Sequence, residues 1–178
     1  MPTLIRAGCA VLAASATLAF AQTPTSPSVA APSPASVPAQ MPFDIPYGAP
    51  IGLDAAKKLI AAAEAEARKR DWKMNIAVAD THGDLVAFER MDGAQLASIR
   101  VSQAKARTSA RFRRETRAFY NQFESGHPYV ATLDPDIVAS PGGFPIVEGG
   151  KLIGAVGCSG GSGDQDAVVC KAAADTVR

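Results

Sequence analysis

The chain has 178 residues, of which 47% are hydrophobic and 20% charged, and its formal net charge at neutral pH is +1. This near-neutral balance argues against a general nucleic-acid binder, which needs a strongly basic surface. The length allows one ordinary domain whose core is large enough to be stable without disulfide staples.

The first 21 residues are typical of a secretory signal peptide. Arg6 supplies the positive start, residues 7–20 supply an apolar stretch, and Ala19-Phe20-Ala21 forms an A-x-A cleavage site. That stretch is too short to span a membrane comfortably, and the mature chain has no longer apolar segment. For a bacterial source, the signal predicts a periplasmic or secreted protein.

Residues 22–50 are rich in Pro, Ser and Ala, with eight prolines and a single charged residue, Asp44. Such a composition cannot bury a core and is typical of an extended, disordered linker, with a Pro-rich docking motif as the alternative. The folded domain is therefore expected over residues 51–178.

The domain begins with a predicted helix over residues 53–70, in which the apolar residues share one face. Residues 76–79 and 85–88 are apolar runs with strand character. They flank Asp80-Thr81-His82-Gly83-Asp84, whose Asp and Gly residues favour a tight turn. The pattern predicts a β-hairpin that carries one of the two histidines at its turn.

The later part of the chain predicts two helices, a second hairpin and a last helix. Their predicted ranges are 96–112, 115–124, strands 144–148 and 151–158, and 167–177. Gly149-Gly150 is a strong two-residue hairpin signal. Strands that pair through hairpins form an antiparallel sheet, so the sequence favours an α+β fold over a doubly wound one.

Only Cys158 and Cys170 remain after removal of the signal peptide. Cys158 is expected to end a strand, and Cys170 lies on the helix that returns across it. In an oxidising compartment the two can pair, although sequence alone does not establish the required geometry. A disulfide and two buried free thiols therefore both remain open.

Two histidines are candidate ligands for a metal or a cofactor. His82 lies in the hairpin turn beside Asp80 and Asp84, which makes an incomplete set of metal ligands. His127 precedes Pro128 in a loop. Either histidine is a candidate axial ligand of haem, and a solvated turn residue is the alternative for both. No catalytic motif is recognisable along the chain.

Two further segments are candidate anion sites. Lys105, Arg107 and Arg111 belong to a basic stretch in which arginine forks suit carboxylates or phosphates, unless the stretch is a solvated face or a subunit contact. Lys105 lies nearest the apolar face and is expected to point inward. Gly160 and Gly161 lie in a glycine-rich loop before the last helix, where backbone amides hold an anion or simply make a turn.

Four stretches of this sequence resemble the GlcG/HbpS family, which also includes the C-terminal domain of PduO-type proteins. They are LDAAKKLIAAAEAEAR, VADTHGDLVAFERMDGA, SIRVSQAKA and GGFPIVEGGKLIGAVGCSGGSGDQD. Each stretch alone is modest, but their order and spacing are specific, and together they span nearly all of residues 51–178.

The resemblance implies a profilin-like fold, with an antiparallel five-stranded sheet, helices on both faces and assembly into homo-oligomers. It also implies haem as the cofactor, because several members bind haem and some secreted ones are linked to haem or iron sensing. We therefore expect a secreted, non-enzymatic haem-binding module, for sensing or storage. His82 or His127 would lie near the iron, and an arginine or Lys105 would face the propionates.

Two other functions stay open from the sequence. One is an enzyme that acts on a small oxygenated acid or on haem, with the glycine-rich loop and Lys105 as anion contacts. The other is a structural or sensory domain whose ligand is another protein, held away from its neighbours by the long linker.

Overall fold

The computed structural model describes residues 40–41 and 43–177. The predicted signal peptide, residues 1–21, and most of the predicted linker lie outside the described residues. The described chain folds into four α-helices and one antiparallel sheet, which confirms the α+β class. None of the described helices combines the length and the apolar character that a membrane crossing requires.

The helices and strands follow the predicted order. Their bounds are α1 (Leu53–Lys69), β1 (Asn75–Ala79), β2 (Leu85–Arg90), α2 (Ser98–Phe112), α3 (Arg117–Glu124), β3 (Gly143–Glu148), β4 (Lys151–Ser159) and α4 (Gly163–Ala174). Gly149 and Gly150 join β3 to β4 with φ angles of 55° and 74°. Positive φ at both positions is what a two-residue type I′ hairpin requires.

The sheet has the strand order β2-β1-β4-β3, and every neighbouring pair is antiparallel. The five-stranded sheet implied by the resemblance is wrong here, because the described residues contain four strands. The segment between α3 and β3 forms a short 3₁₀ helix, Pro128–Thr132, followed by turns. Its prolines, which include Pro135 and Pro141, cannot donate to a sheet ladder and so oppose a strand.

Helices cover both faces of the sheet, as the resemblance implies. On one face α1 and α4 pack over the main core, which includes Leu59 and Val156. On the other face α2 packs against small residues, with Ala106 near Ala77. A Cβ on Gly157 of β4 would lie 2.5 Å from the Ala106 nitrogen, so glycine is required for α2 to approach the sheet this closely.

Residues 43–50, which the sequence placed in the linker, lie against β4, and we call them the strap. The N–H of Leu152 donates to the carbonyl oxygen of Pro46 (2.8 Å), and the N–H of Gly48 donates to the carbonyl oxygen of Leu152 (2.7 Å). Since β3 covers one edge of β4, the strap takes the part of the other edge that β1 leaves unpaired. Backbone pairing therefore holds this part of the Pro-rich segment on the domain.

A buried ion pair joins α2 to α4. Lys105 Nζ lies 2.7 Å from Asp166 Oδ2 and also donates to the Cys158 carbonyl oxygen at 3.3 Å. The two side chains are 1% and 3% exposed. Desolvation lowers the pKa of Lys105 and raises the pKa of Asp166, and their mutual attraction opposes both changes. Lys105 therefore points inward, as the sequence predicts.

Cys158 and Cys170 form a disulfide that joins β4 to α4, with their Cα atoms 5.5 Å apart. Both residues are fully buried. Of the two states that the sequence left open, the structure has the crosslink rather than two free thiols. The bond closes a short loop, since the two cysteines are separated by 12 positions.

Replacing Lys105 by methionine should lower the free energy of unfolding by about 3–5 kcal/mol, because the Asp166 carboxylate is left buried without its cation. Urea unfolding followed by circular dichroism measures the change. Lys57→Met is the matched control, since Lys57 lies exposed on α1 and its loss should cost less than about 0.5 kcal/mol. Equal stability of the two variants would contradict a structural role for the pair.

Opening the disulfide should lower the free energy of unfolding by about 2–4 kcal/mol, because the crosslink restricts the unfolded chain. The measurement compares urea midpoints of a protein of residues 22–178 with and without reductant, while mass spectrometry verifies the reduced thiols. The double variant Cys158→Ala, Cys170→Ala is the control and should not respond to reductant. An unchanged midpoint for the fully reduced chain would show that the bond does not stabilise the fold.

Candidate functional site

A groove opens where the turn between β1 and β2 meets the strap. Its volume is about 500 Å³, within the range of roughly 300–1,000 Å³ that is typical of small-molecule sites. The residues that line it are Tyr47, Gly48, Pro50, Thr81, His82 and Arg111. The groove therefore brings together two residues predicted from the sequence, an imidazole and a guanidinium, with aromatic and apolar surface from the strap.

The turn between β1 and β2 holds His82 outward. The Asp80 carboxylate accepts hydrogen bonds from the backbone N–H groups of His82 (2.8 Å) and Asp84 (3.0 Å), as in an Asx turn. The His82 side chain is 73% exposed, and its Nδ1 lies 3.4 Å from Thr81 Oγ1. Among the described residues, none forms a hydrogen bond with Nε2 of His82, so this nitrogen is available to a ligand.

The same turn does not build a separate metal cage. Within the described part of the chain, no three His, Cys, Asp or Glu side chains lie close enough together to hold an ion. The Asp80 carboxylate already accepts two backbone hydrogen bonds. Metal binding by His82 therefore remains a prediction only for an iron that is already held by a cofactor, with His82 as its protein ligand.

Two arginines of α2 hold the turn in place through its backbone. Arg107 Nε donates to the carbonyl oxygen of Gly83 (3.2 Å), and Arg111 Nε donates to the carbonyl oxygen of His82 (3.1 Å). Because the two arginines are four residues apart, they project from the same face of the helix. The predicted basic stretch thus fixes the loop that carries the histidine.

The same two arginines also contact carboxylates of the loop after α3. Arg107 Nη1 lies 2.8 Å from Asp136, and Arg111 Nη1 lies 3.1 Å from Asp134. The arginine side chains are 37% and 45% exposed, and ion pairs at such positions contribute only about 0–1 kcal/mol. Arg111, which lines the groove, can therefore exchange this partner for a carboxylate of a ligand at little cost.

Lys105 and the glycine-rich loop lie away from the groove, and both donate hydrogen bonds to the Asp166 carboxylate. The backbone N–H groups of Gly160 and Gly161 donate to Asp166 Oδ1, each at 3.0 Å, and Lys105 contacts Oδ2 of the same carboxylate. A capping box completes the N-terminus of α4. The anion that these amides hold is thus a side chain of the chain itself.

His127 is exposed and lies in the loop between α3 and the 3₁₀ helix. Its Nδ1 lies 3.2 Å from Ser125 Oγ, and its ring meets Tyr129 edge-on with centroids 6.2 Å apart. It is not among the residues that line the His82 groove. The structure therefore does not bring the two predicted histidines to one site.

Tyr47 is a groove residue that the sequence does not predict, because the composition of residues 22–50 as a whole indicates a linker. A signal was present in the last part of that segment. Met41, Phe43, Ile45 and Tyr47 alternate with other residues, whereas residues 22–40 contain no apolar side chain larger than valine. Such alternation is typical of an extended segment with one face against a protein surface.

Comparison with known proteins connects this architecture to a family. The profile of the family described as "Haem degrading protein HbpS-like" matches residues 51–175. Protein GlcG of Escherichia coli K12 is 45% identical over 104 residues, which cover 58% of this chain and 77% of GlcG.

Solved structures agree with this match. A double mutant of HbpS from Streptomyces reticuli superimposes with a TM-score of 0.68 and 26% identity, over 83% of this chain and 99% of HbpS. A structure described as a PduOC:haem complex has a TM-score of 0.67 and 25% identity, over 72% of this chain and 96% of the other. The chain is thus a member of the GlcG/HbpS family.

Proposed function

We propose that this protein binds haem in the groove between the β1–β2 turn and the strap. The observation that carries the proposal is the exposed His82 imidazole, whose Nε2 makes no hydrogen bond with any described residue, at the rim of a groove of about 500 Å³. The family described as HbpS-like and the related PduOC:haem complex support haem as the ligand.

The residues of the groove fit haem. His82 is the candidate axial ligand, since a neutral imidazole is the usual protein ligand of haem iron. The Tyr47 ring and Pro50 offer flat apolar surface for a macrocycle, and Arg111 offers guanidinium donors to a propionate. Haem, when bound, supplies a redox-active iron, and the chain's residues hold and orient it.

We further propose that the protein is exported, to the periplasm or beyond the cell, and that it assembles as a homo-oligomer. The buried Cys158–Cys170 disulfide supports an oxidising compartment. Apolar residues exposed on α3 and the segment after it support self-association. They are Tyr120, Phe123, Tyr129 and Leu133.

Light scattering of the mature chain measures the subunit number, and a monomer at micromolar concentration would contradict the oligomer.

Haemin titrated into the mature chain should give a shifted Soret band with saturable binding. Replacing His82 by alanine should weaken binding by about tenfold or more, which corresponds to about 1.4 kcal/mol, because the axial nitrogen is lost. His127→Ala is the matched control and should bind as the wild type does, since His127 lies outside the groove.

Two outcomes would contradict the proposal. The first is the absence of a shifted Soret band in the wild-type protein, and the second is a larger loss of haemin affinity in His127→Ala than in His82→Ala.

A thermal-shift screen with small carboxylates tests the alternative function. Stabilisation by such acids without any response to haemin would favour an enzyme that acts on a small oxygenated acid.

A further inference from the structure

We propose that the strap is a wall of the ligand site and that its docking on β4 sets the affinity for haem. This inference rests on the function proposed above and assigns part of the site to residues that precede the match to the family model. The family match begins at residue 51, whereas Tyr47, Gly48 and Pro50 line the same groove as His82 and Arg111. Both the region that matches the family model and the strap therefore contribute residues to the groove.

The strap approaches β4 so closely that one position has no room for a side chain. A Cβ on Gly48 would lie 2.9 Å from Lys151 Cβ and 3.3 Å from the carbonyl oxygen of Leu152. Both neighbours belong to a strand in the sheet and cannot move aside as a flexible side-chain end does. A methyl group at position 48 therefore pushes the strap away from the sheet.

The end of α2 holds the strap from a second direction. Arg113 has a left-handed conformation, with φ of 54°, which is rare for a residue other than glycine. Its Nη1 donates to the carbonyl oxygen of Ile45 (3.0 Å), and its guanidinium lies 5.3 Å from the centre of the Tyr47 ring. The guanidinium of Arg114 lies 4.0 Å from the centre of the Phe43 ring. Consecutive arginines thus contact consecutive parts of the strap.

Tyr47 links the strap to the groove. Its hydroxyl donates to the carbonyl oxygen of Arg111 (3.0 Å), and the residue is 51% exposed. The hydrogen bond fixes the direction of the ring, so its exposed area is presented to the groove rather than left free to rotate. A planar aromatic ligand that stacks on this ring is stabilised only while the strap is docked.

Ligand binding and strap docking are therefore coupled, and the coupling acts equally in both directions. A bound ligand that contacts Tyr47 favours the docked strap, and a change that displaces the strap lowers the affinity by the same factor. No residue of the strap is buried, and a segment with few buried contacts opens locally at low cost.

The test measures haemin affinity by Soret titration for four forms of the mature chain. We expect Gly48→Ala to bind about tenfold more weakly, a change of the size that loss of a packed aromatic contact produces. The matched control is Gly52→Ala, because a Cβ on Gly52 meets nothing within 4 Å, and it should bind as the wild type does. Tyr47→Ala should lose as much affinity for haemin as Gly48→Ala does, although in Tyr47→Ala the strap backbone should remain docked on β4.

Hydrogen exchange of the same proteins gives a readout that does not depend on the Soret band. Without ligand, the amides at positions 48 and 51, which donate to β4, should exchange faster in Gly48→Ala than in Gly52→Ala. Haemin should slow the exchange of these two amides in the wild type. Gly48→Ala should keep the wild-type exchange in α1 and β1, which shows that the domain stays folded.

The possible failures are distinguishable. If Gly48→Ala and Tyr47→Ala both bind haemin with the affinity of the wild type, the strap inference is overturned and the proposed function stands. If haemin binds the wild type without slowing exchange in the strap, the coupling is overturned. If the wild type does not bind haemin, the proposed function fails and the strap inference fails with it.

Discussion

The buried pair between Lys105 and Asp166 is the constraint on which the arrangement of this domain depends. It lies where α2, the end of β4 and the start of α4 meet, and it is almost fully hidden from solvent. Two buried charges are tolerated only when each is paired and hydrogen-bonded. Asp166 meets this condition with Lys105 on one oxygen and the amides of Gly160 and Gly161 on the other. A single carboxylate thus orders the glycine-rich loop and fixes the position of α2.

The position of α2 in turn builds the groove. Arg107 and Arg111 hold the β1–β2 turn by its carbonyl oxygens, and Arg113 with Arg114, just beyond the helix, hold the strap. One helix therefore supports both walls of the site, which are far apart in sequence. These four arginines stabilise the turn and the strap, and of the four only Arg111 also lines the groove.

Local patterns made much of the fold predictable from sequence, whereas contacts between distant segments did not follow from them. Apolar periodicity and turns such as Gly149-Gly150 predict the helices and both hairpins, and the place of Lys105 near the apolar face predicts that it points inward. Its partner Asp166 is 61 residues away, and no local rule connects the two. The proline-rich composition of residues 22–50 obscures the alternating apolar pattern that ends at Tyr47. The Cys158–Cys170 bond depends on a distance between the two residues that sequence does not provide.

The proposed position of haem, between His82 and the strap, is tested most directly by a paramagnetic relaxation map. Amide signals of residues 22–178 are compared with bound haemin and with bound zinc protoporphyrin, which has the same macrocycle without a paramagnetic iron. We expect selective signal loss for the amides of Thr81, His82, Gly48 and Arg111, which line the groove. Signal loss centred on His127 or on Gly160 and Gly161, with the groove unaffected, would contradict it.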